Sequence, residues 1–273
     1  MARGESSGTE QLDWYETPHY YDIIFDEDTD LEADFLEDAL ERYAFSRGKR
    51  VLEPACGSGR LVKVLAERGY RVTGTDRSAE MLAYARERVR EAGVKARLVQ
   101  ADMQAPAPGG PYDLAHCLVS TFKYLLTEKD AAAHLQSVAD ALAPGGIYCL
   151  GFHLSDYAAG KGDVERWKQS RDGVDVKCEI RSEPPDAKTR REDVSCKLVV
   201  KENGRTRRTE THWQFRTYDA TQVRRLLRKV PDLELVATHD FLYEIAEVMP
   251  FDDELCGCLL ILRARRQAAQ RRA

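Results

Sequence analysis

The stretch Val51-Leu52-Glu53-Pro54-Ala55-Cys56-Gly57-Ser58-Gly59-Arg60 constrains the fold of this chain more than any other. It reads as a short buried strand ending in an acidic residue, then a sharp turn through two glycines, then an amphipathic helix. Leu61, Val62 and Leu65 form the apolar face of that helix and Gly69 stops it. A strand, glycine-rich turn and helix in this order bring bare backbone and a helix N-terminus close to a small ligand. A dinucleotide fingerprint would place glycine where Val62 stands, and a phosphate loop would place Gly-Lys-Ser/Thr where Gly59, Arg60 and Leu61 stand. Instead a carboxylate, Glu53, closes the strand four residues before a Gly-x-Gly. That charge repels a pyrophosphate and attracts an ammonium group.

Beyond the motif, strand and helix signals alternate. Strands are predicted at 50–54, 71–75, 97–101, 113–118 and 146–152, and helices at 60–68, 78–92 and 128–143. Ser78 is the expected N-cap of the second helix, with Met81, Leu82, Ala85 and Val89 as its core face; Thr127 with Asp130 starts the third. Such alternation predicts an α/β fold, a parallel sheet with helices on both faces. After about residue 155 the rhythm changes. Segments 174–182, 191–201 and 205–217 are rich in β-branched residues and separated by Pro184-Pro185-Asp186 and Glu202-Asn203-Gly204, which predicts an antiparallel insertion of about three strands. A helix at 220–230 and strands at 233–239 and 257–263 return to the α/β theme.

Bulk properties exclude several classes. With 273 residues, 32 % of them charged, a net charge of −5 and a pI near 5.8, the chain carries no nucleic-acid footprint. The arginines Arg263, Arg265, Arg266, Arg271 and Arg272 read as a solvated terminus, and the acidic stretch Asp22 to Glu41 as the polar face of a helix whose apolar face is Leu31, Phe35, Leu36 and Leu40. No leader or membrane span is expected. Seven cysteines without a Cys-x-x-Cys pair read as reduced thiols of a cytoplasmic protein, with no metal site.

Three further carboxyl-edge features follow the motif. Asp76 ends the second strand, where a carboxylate can accept hydrogen bonds from both hydroxyls of a ribose. Asp102-Met103 ends the third, offering an acceptor for an adenine amino group and an apolar cover for its ring, and Met81 can cover the other face. The carboxyl edge is where open α/β sheets bind ligands.

Together with Leu142-Ala143-Pro144-Gly145-Gly146 before the fifth strand, these features resemble motifs I to III of the class I S-adenosylmethionine-dependent methyltransferases. Ala55 stands where the first motif glycine is usual. The lead-in Tyr20-Tyr21-Asp22 and the segment Val119-Ser120-Thr121-Phe122-Lys123-Tyr124-Leu125 are similar to the small-molecule glycine/sarcosine and amino-sugar N-methyltransferase branch. The resemblance implies a Rossmann-like sheet with a C-terminal antiparallel strand. It divides the chain into a cofactor-binding part at 1–155 with a helical lead-in, an inserted β cap on the substrate side at 156–217, and a C-terminal completion of the main sheet at 218–273. It implies S-adenosylmethionine as cofactor, S-adenosylhomocysteine as product, and a small polar methyl acceptor, an amine in preference to a hydroxyl. A homodimer is expected, with no nucleic acid or membrane partner.

The implied cofactor contacts are Tyr21, Glu53, Ala55, Gly57, Gly59, Asp76, Arg77, Met81, Asp102, Met103 and Leu118. Glu53 would meet the methionyl ammonium, Asp76 the ribose, and Met81, Asp102 and Met103 the adenine; Leu118 would lie near the sulfonium. Lys123 departs from the small or amide residue of many relatives, which leaves the acceptor open. His153, Tyr124 and Tyr21 are the candidate catalytic residues, whereas His116, inside the fourth strand, reads as a core residue. His212, Trp213 and Arg216 are candidate lid residues, Trp213 with packing of the added sheet as its first reading. The fourth strand lacks the Pro-Pro-Tyr/Phe motif of nucleobase methylation, a Pro-Cys nucleophile and a metal-binding carboxylate cluster. The reading from another class is a non-catalytic S-adenosylmethionine-binding sensor or partner subunit.

Overall fold

The computed structural model describes residues 10–265 apart from Leu12, so of the arginine-rich end only Arg263 and Arg265 lie within the described residues. Seven strands form the main sheet: β2 (Arg50–Pro54), β3 (Arg71–Asp76), β4 (Arg97–Gln100), β5 (Tyr112–Cys117), β6 (Leu142–His153), β11 (Leu233–His239) and β12 (Gly257–Ala264). Their order is β11-β12-β6-β5-β2-β3-β4, and β12 alone runs against its neighbours. This is the Rossmann-like class I arrangement, with the reversed strand next to the edge. Side chains alternate between faces along each strand. Val51 joins the core under α2 (Thr29–Tyr43), α3 (Arg60–Glu67) and α4 (Ala79–Glu91), while Leu52 joins the core under α5 (Glu128–Ala141) and α6 (Ala220–Leu227). Fully buried side chains such as Leu36, Leu65 and Leu135 each contribute about 1.5–3 kcal/mol to holding these layers together.

Local signals end the helices where expected. Ser78 accepts from the Met81 N–H and Thr127 from the Asp130 N–H. Helix α5 stops at Ala141 because Leu142 is already extended and opens a 12-residue strand, four residues earlier than the sequence suggests.

The second sheet differs more from expectation. It holds five strands in the order β1-β10-β9-β8-β7: β1 (Glu10–Gln11), β7 (Val164–Arg171), β8 (Val174–Ser182), β9 (Arg191–Glu202) and β10 (Arg205–Arg216). Strand β7 was missed because Val164-Glu165-Arg166-Trp167-Lys168-Gln169-Ser170-Arg171 is mostly charged and polar. Its signal was the turn: Asp172 and Gly173 both have positive φ, the two-residue hairpin type that Asn203-Gly204 also adopts. The inner face of this sheet (Val174, Val176, Cys178, Cys196, Leu198 and Val200) packs on Trp14, Ile23 and Ile24 of the lead-in.

The acidic stretch is not one solvated helix face. Helix α1 (Pro18–Phe25) ends before α2 begins, and Asp22 and Glu32 are buried, because each meets arginines from other elements. Of the apolar residues assigned to α2, Phe35, Leu36 and Leu40 are buried, and Leu31 is exposed. Among the described residues, no helix is long and apolar enough to cross a membrane.

Candidate active site

The candidate donor-side residues comprise two carboxylates and one turn. Ala55, Gly57 and Gly59 all take positive φ, so the chain reverses tightly between β2 and α3. A side chain on Gly57 would meet nothing within 4 Å, whereas one on Gly59 would strike Ala85 Cβ of α4 at 2.7 Å. Gly57 therefore leaves open space at the sheet edge, and Gly59 is required for the close approach of α3 to α4. Asp76 Oδ2 accepts from the Gly57 N–H at 2.8 Å and Oδ1 from the Ser78 N–H at 2.8 Å. Burial raises the Asp76 pKa, and these backbone donors work in the opposite direction. Arg77 follows it, exposed.

Glu53 is buried, and its Oε2 has no hydrogen-bond partner. Burial pushes its carboxyl up to about 8, against the pull of Arg60. The nearest ring nitrogen, His116 Nε2, lies 3.8 Å from Oε2. It is held neutral, pushed down to about 3 by burial and by Arg60, and neither ring nitrogen is hydrogen-bonded. A carboxylate placed here lacks a cationic donor on its Oε2 side, which suits an ammonium ligand.

Beyond β4, Asp102 is exposed, and Met103 is partly buried against the core under α5. His134 of α5 bonds the Met103 carbonyl through Nδ1 at 2.9 Å and the Tyr148 hydroxyl through Nε2 at 2.7 Å, fixing that loop. Pro54, Thr75, Asp102 and Met103 line one recess. Met81 is fully buried on α4, and Leu118 is buried immediately after β5. The next two residues, Val119 and Ser120, have φ of 57° and 65°. Left-handed backbone is strained for a β-branched residue, and such strain concentrates at functional sites.

The candidate acceptor-side residues are brought together from distant segments. Tyr15 donates its hydroxyl hydrogen to the Tyr124 hydroxyl at 2.9 Å, and the Tyr15 and Tyr21 rings lie 5.6 Å apart. Trp14 stacks on Trp213 at 4.9 Å, and Phe215 meets Tyr124 edge-on at 4.8 Å. His153 Nδ1 lies 3.0 Å from Ser120 Oγ, which also accepts from the His153 N–H at 3.2 Å. Burial and the nearby Lys123 lower the His153 pKa, which keeps the ring neutral near pH 7. Lys123 itself is buried and reaches Glu192 of β9 at 3.0 Å.

Burial pushes Tyr21 up to about 12 and raises Tyr124 as well, which favours the neutral phenol in both. In one of its two tautomers a neutral His153 can donate from Nδ1 to Ser120, with Nε2 then carrying the ring's lone pair. The lid assignments also change. His212 is exposed on the outer face of its strand beside Glu210, and Arg216 is occupied by the Leu126 carbonyl at 3.1 Å. Trp213 packs the two units together, as its first reading held.

Sequence reasoning missed Arg60 and Glu32. Arg60 is enclosed between Glu32 at 2.5 Å and Thr29 at 3.1 Å, and Glu32 also accepts from the Tyr243 hydroxyl. Burial opposes the charge on Arg60, and Glu32 more than offsets it. A charged residue opening the motif helix was the available signal.

A family profile described as a methyltransferase domain matches residues 51–146, which span β2 to the start of β6. Residues 51–146 are thus similar to a methyltransferase domain, and the sheet that carries them has the class I, Rossmann-like order. Around this domain, the chain is 34% identical over 129 residues to a ubiquinone biosynthesis O-methyltransferase of Vibrio cholerae, covering 43% of this chain and 51% of that protein. It is 35% identical over 130 residues to a glycine/sarcosine N-methyltransferase of Halorhodospira halochloris, covering 47% of each. The chain thus spans about half the length of the curated relatives it matches. The fold likeness is longer. The sugar N-methyltransferase KedS8 of Streptoalloteichus superposes with a TM-score of 0.74 at 18% identity, over 98% of this chain and 99% of that one. The fold likeness thus extends over nearly the whole chain, and these likenesses include both O- and N-methyltransferases.

Proposed function

We propose that this chain transfers a methyl group from S-adenosylmethionine to a small polar acceptor, an amine in preference to a hydroxyl. The observation that carries the reading is the buried, unpartnered Oε2 of Glu53 beside the open space at Gly57. That pairing suits a ligand that is cationic at one end and approaches bare backbone. Asp76 would add an acceptor for the ribose, and Asp102 and Met103, which line one recess with Pro54 and Thr75, would hold the adenine together with Met81.

When bound, the cofactor supplies a methyl group on a sulfonium, and its transfer is an in-line displacement that disperses positive charge. The chain's contribution is alignment and exclusion of water. Tyr15, Tyr21, Tyr124, Trp213 and Phe215 wall the acceptor side, and Leu118 closes the strand end beside them. The preference for an amine rests on the bases available. A neutral amine is nucleophilic without first losing a proton, whereas a hydroxyl needs a base, and of the two candidate bases burial favours the neutral phenol of Tyr124 and the neutral ring of His153.

In the same reading the chain works in the cytoplasm as a homodimer, with boundaries at residues 155 and 217 setting the inserted cap apart from the cofactor-binding part and the C-terminal completion of the sheet. Six of its seven cysteines are buried and all are free. The test is formation of S-adenosylhomocysteine from S-adenosylmethionine across a panel of small polar amines and alcohols, beside calorimetric binding of S-adenosylhomocysteine. Binding with turnover of an amine supports the proposal; a chain that binds neither cofactor form overturns it.

A further inference from the structure

A carboxylate is seldom fully buried without compensating charge, because desolvation outweighs what neutral hydrogen bonds return. Asp22 has no exposed surface at all. Its Oδ1 accepts from Ser58 Oγ at 2.8 Å, and its Oδ2 from the Tyr84 hydroxyl at 3.1 Å, from Arg88, and from Arg171 Nη2 at 2.5 Å. One turn later, at the C-cap of α1, Asp26 takes the other arms of the same guanidiniums, Arg171 Nη1 at 3.1 Å and Arg88 Nη1 at 3.6 Å. Two carboxylates and two guanidiniums cancel, so the cluster can be enclosed.

What matters is where the partners come from. Ser58 lies between Gly57 and Gly59 in the donor turn, Arg88 belongs to α4, and Arg171 belongs to β7 of the second sheet. The donor turn is therefore held from two sides, by Asp76 on the Gly57 N–H and by Asp22 on the Ser58 hydroxyl. Tyr21, on the acceptor wall, is the chain neighbour of Asp22. We propose that Asp22 is a positioning residue that couples the donor turn to the second sheet, so that donor binding and docking of β7 onto α1 are linked. This rests on the reading of the site as a methyl-donor pocket. An occupied turn fixes Ser58, Ser58 fixes the Asp22 carboxylate, and that carboxylate orients Arg171. Linkage is reciprocal, so an Arg171 in place must tighten donor binding by the factor with which the donor tightens β7.

The experiment uses the full chain, with S-adenosylhomocysteine as probe. Calorimetric affinity and backbone hydrogen exchange with and without the probe are measured for wild type, Asp22→Asn and Arg171→Met. The second variant leaves the donor turn, α4 and the Arg88 partner of Asp22 in place, and so stands should Asp22→Asn fail to fold. The expected result is that the probe slows exchange across residues 164–182 in the wild type. In Arg171→Met that protection is lost and affinity falls roughly tenfold, although Arg171 lies in the other sheet. Wild-type affinity in Arg171→Met, or no slowing at 164–182 in a wild type that binds the probe, overturns the coupling alone. A wild type that does not bind S-adenosylhomocysteine overturns the functional reading and the coupling with it.

Discussion

The proposed donor and acceptor sides of this site are assembled in opposite ways. Glu53, Gly57, Asp76, Met81 and Met103 fall within one continuous run of strand, turn and helix, and all but Met81, on α4, sit at or just past a strand end. The acceptor wall takes Tyr15 and Tyr21 from the lead-in, Ser120 and Tyr124 from the turn after β5, His153 from the end of β6, and Trp213 and Phe215 from β10. The first is positioned by local backbone geometry, and the second by the docking of two sheets. Substitutions on the donor side should thus act through backbone conformation and charge, and those on the acceptor side through packing, leaving cofactor affinity largely alone.

The sharpest break in that comparison lies within the donor turn itself. Gly59→Ala meets both a φ of 73° and Ala85 at 2.7 Å. It should cost about 2–5 kcal/mol of stability in urea unfolding. Gly57→Ala, with φ 53° and open space, should cost only about 1–2 kcal/mol while weakening S-adenosylhomocysteine binding. Equal stability losses would mean that Gly59 is not the packing glycine.

Next comes Asp76→Ala, which removes a charged acceptor from the ribose position; cofactor affinity should fall by roughly 10- to 100-fold in calorimetry. Unchanged affinity would sink the assignment. Glu53 gives a subtler signal with a definite sign. Burial keeps it protonated up to about pH 8 in the fold, against 4.5 ordinarily, so the cofactor-free fold holds an extra proton between those values. Stability should be fullest below about pH 4.5 as far as this group is concerned, and fall as pH rises towards 8. A bound ammonium favours the ionised form instead. Binding of S-adenosylhomocysteine at pH 7 should therefore release up to about one proton, read from calorimetry in buffers of different ionisation heat. Glu53→Gln should abolish both the release and the stability slope.

The smallest effect belongs to the acceptor wall. Tyr124→Phe removes the hydrogen-bond acceptor of Tyr15 and should lower stability by about 1 kcal/mol, with cofactor affinity unchanged and acceptor KM altered. A drop in cofactor affinity equal to that of Asp76→Ala would erase the division between the two sides.

The same division explains what could be read from the sequence. The order of strands, the caps Ser78 and Thr127, and the candidate donor residues up to Asp76 follow from periodicity and turn chemistry within a few residues. Legibility ended where charge was buried. Asp22 and Glu32 look like members of a solvated acidic run, and nothing within α1 or α2 announces that Arg60, Arg88 and Arg171 will close on them. Strand β7 was hidden for a related reason: a polar strand betrays itself only through its Asp172-Gly173 turn. The pKa order among His153, Tyr21 and Tyr124 likewise depends on burial, which one-dimensional spacing does not contain.

The left-handed pair Val119 and Ser120 carries an engineering consequence. A glycine at 119 would relax a backbone conformation that a β-branched residue adopts at a cost of about 1–3 kcal/mol. The same change would loosen the turn that holds Ser120 against His153. Selection for heat resistance and selection for turnover would therefore pull this position in opposite directions, and thermostabilised variants of the chain should be screened there first for lost activity.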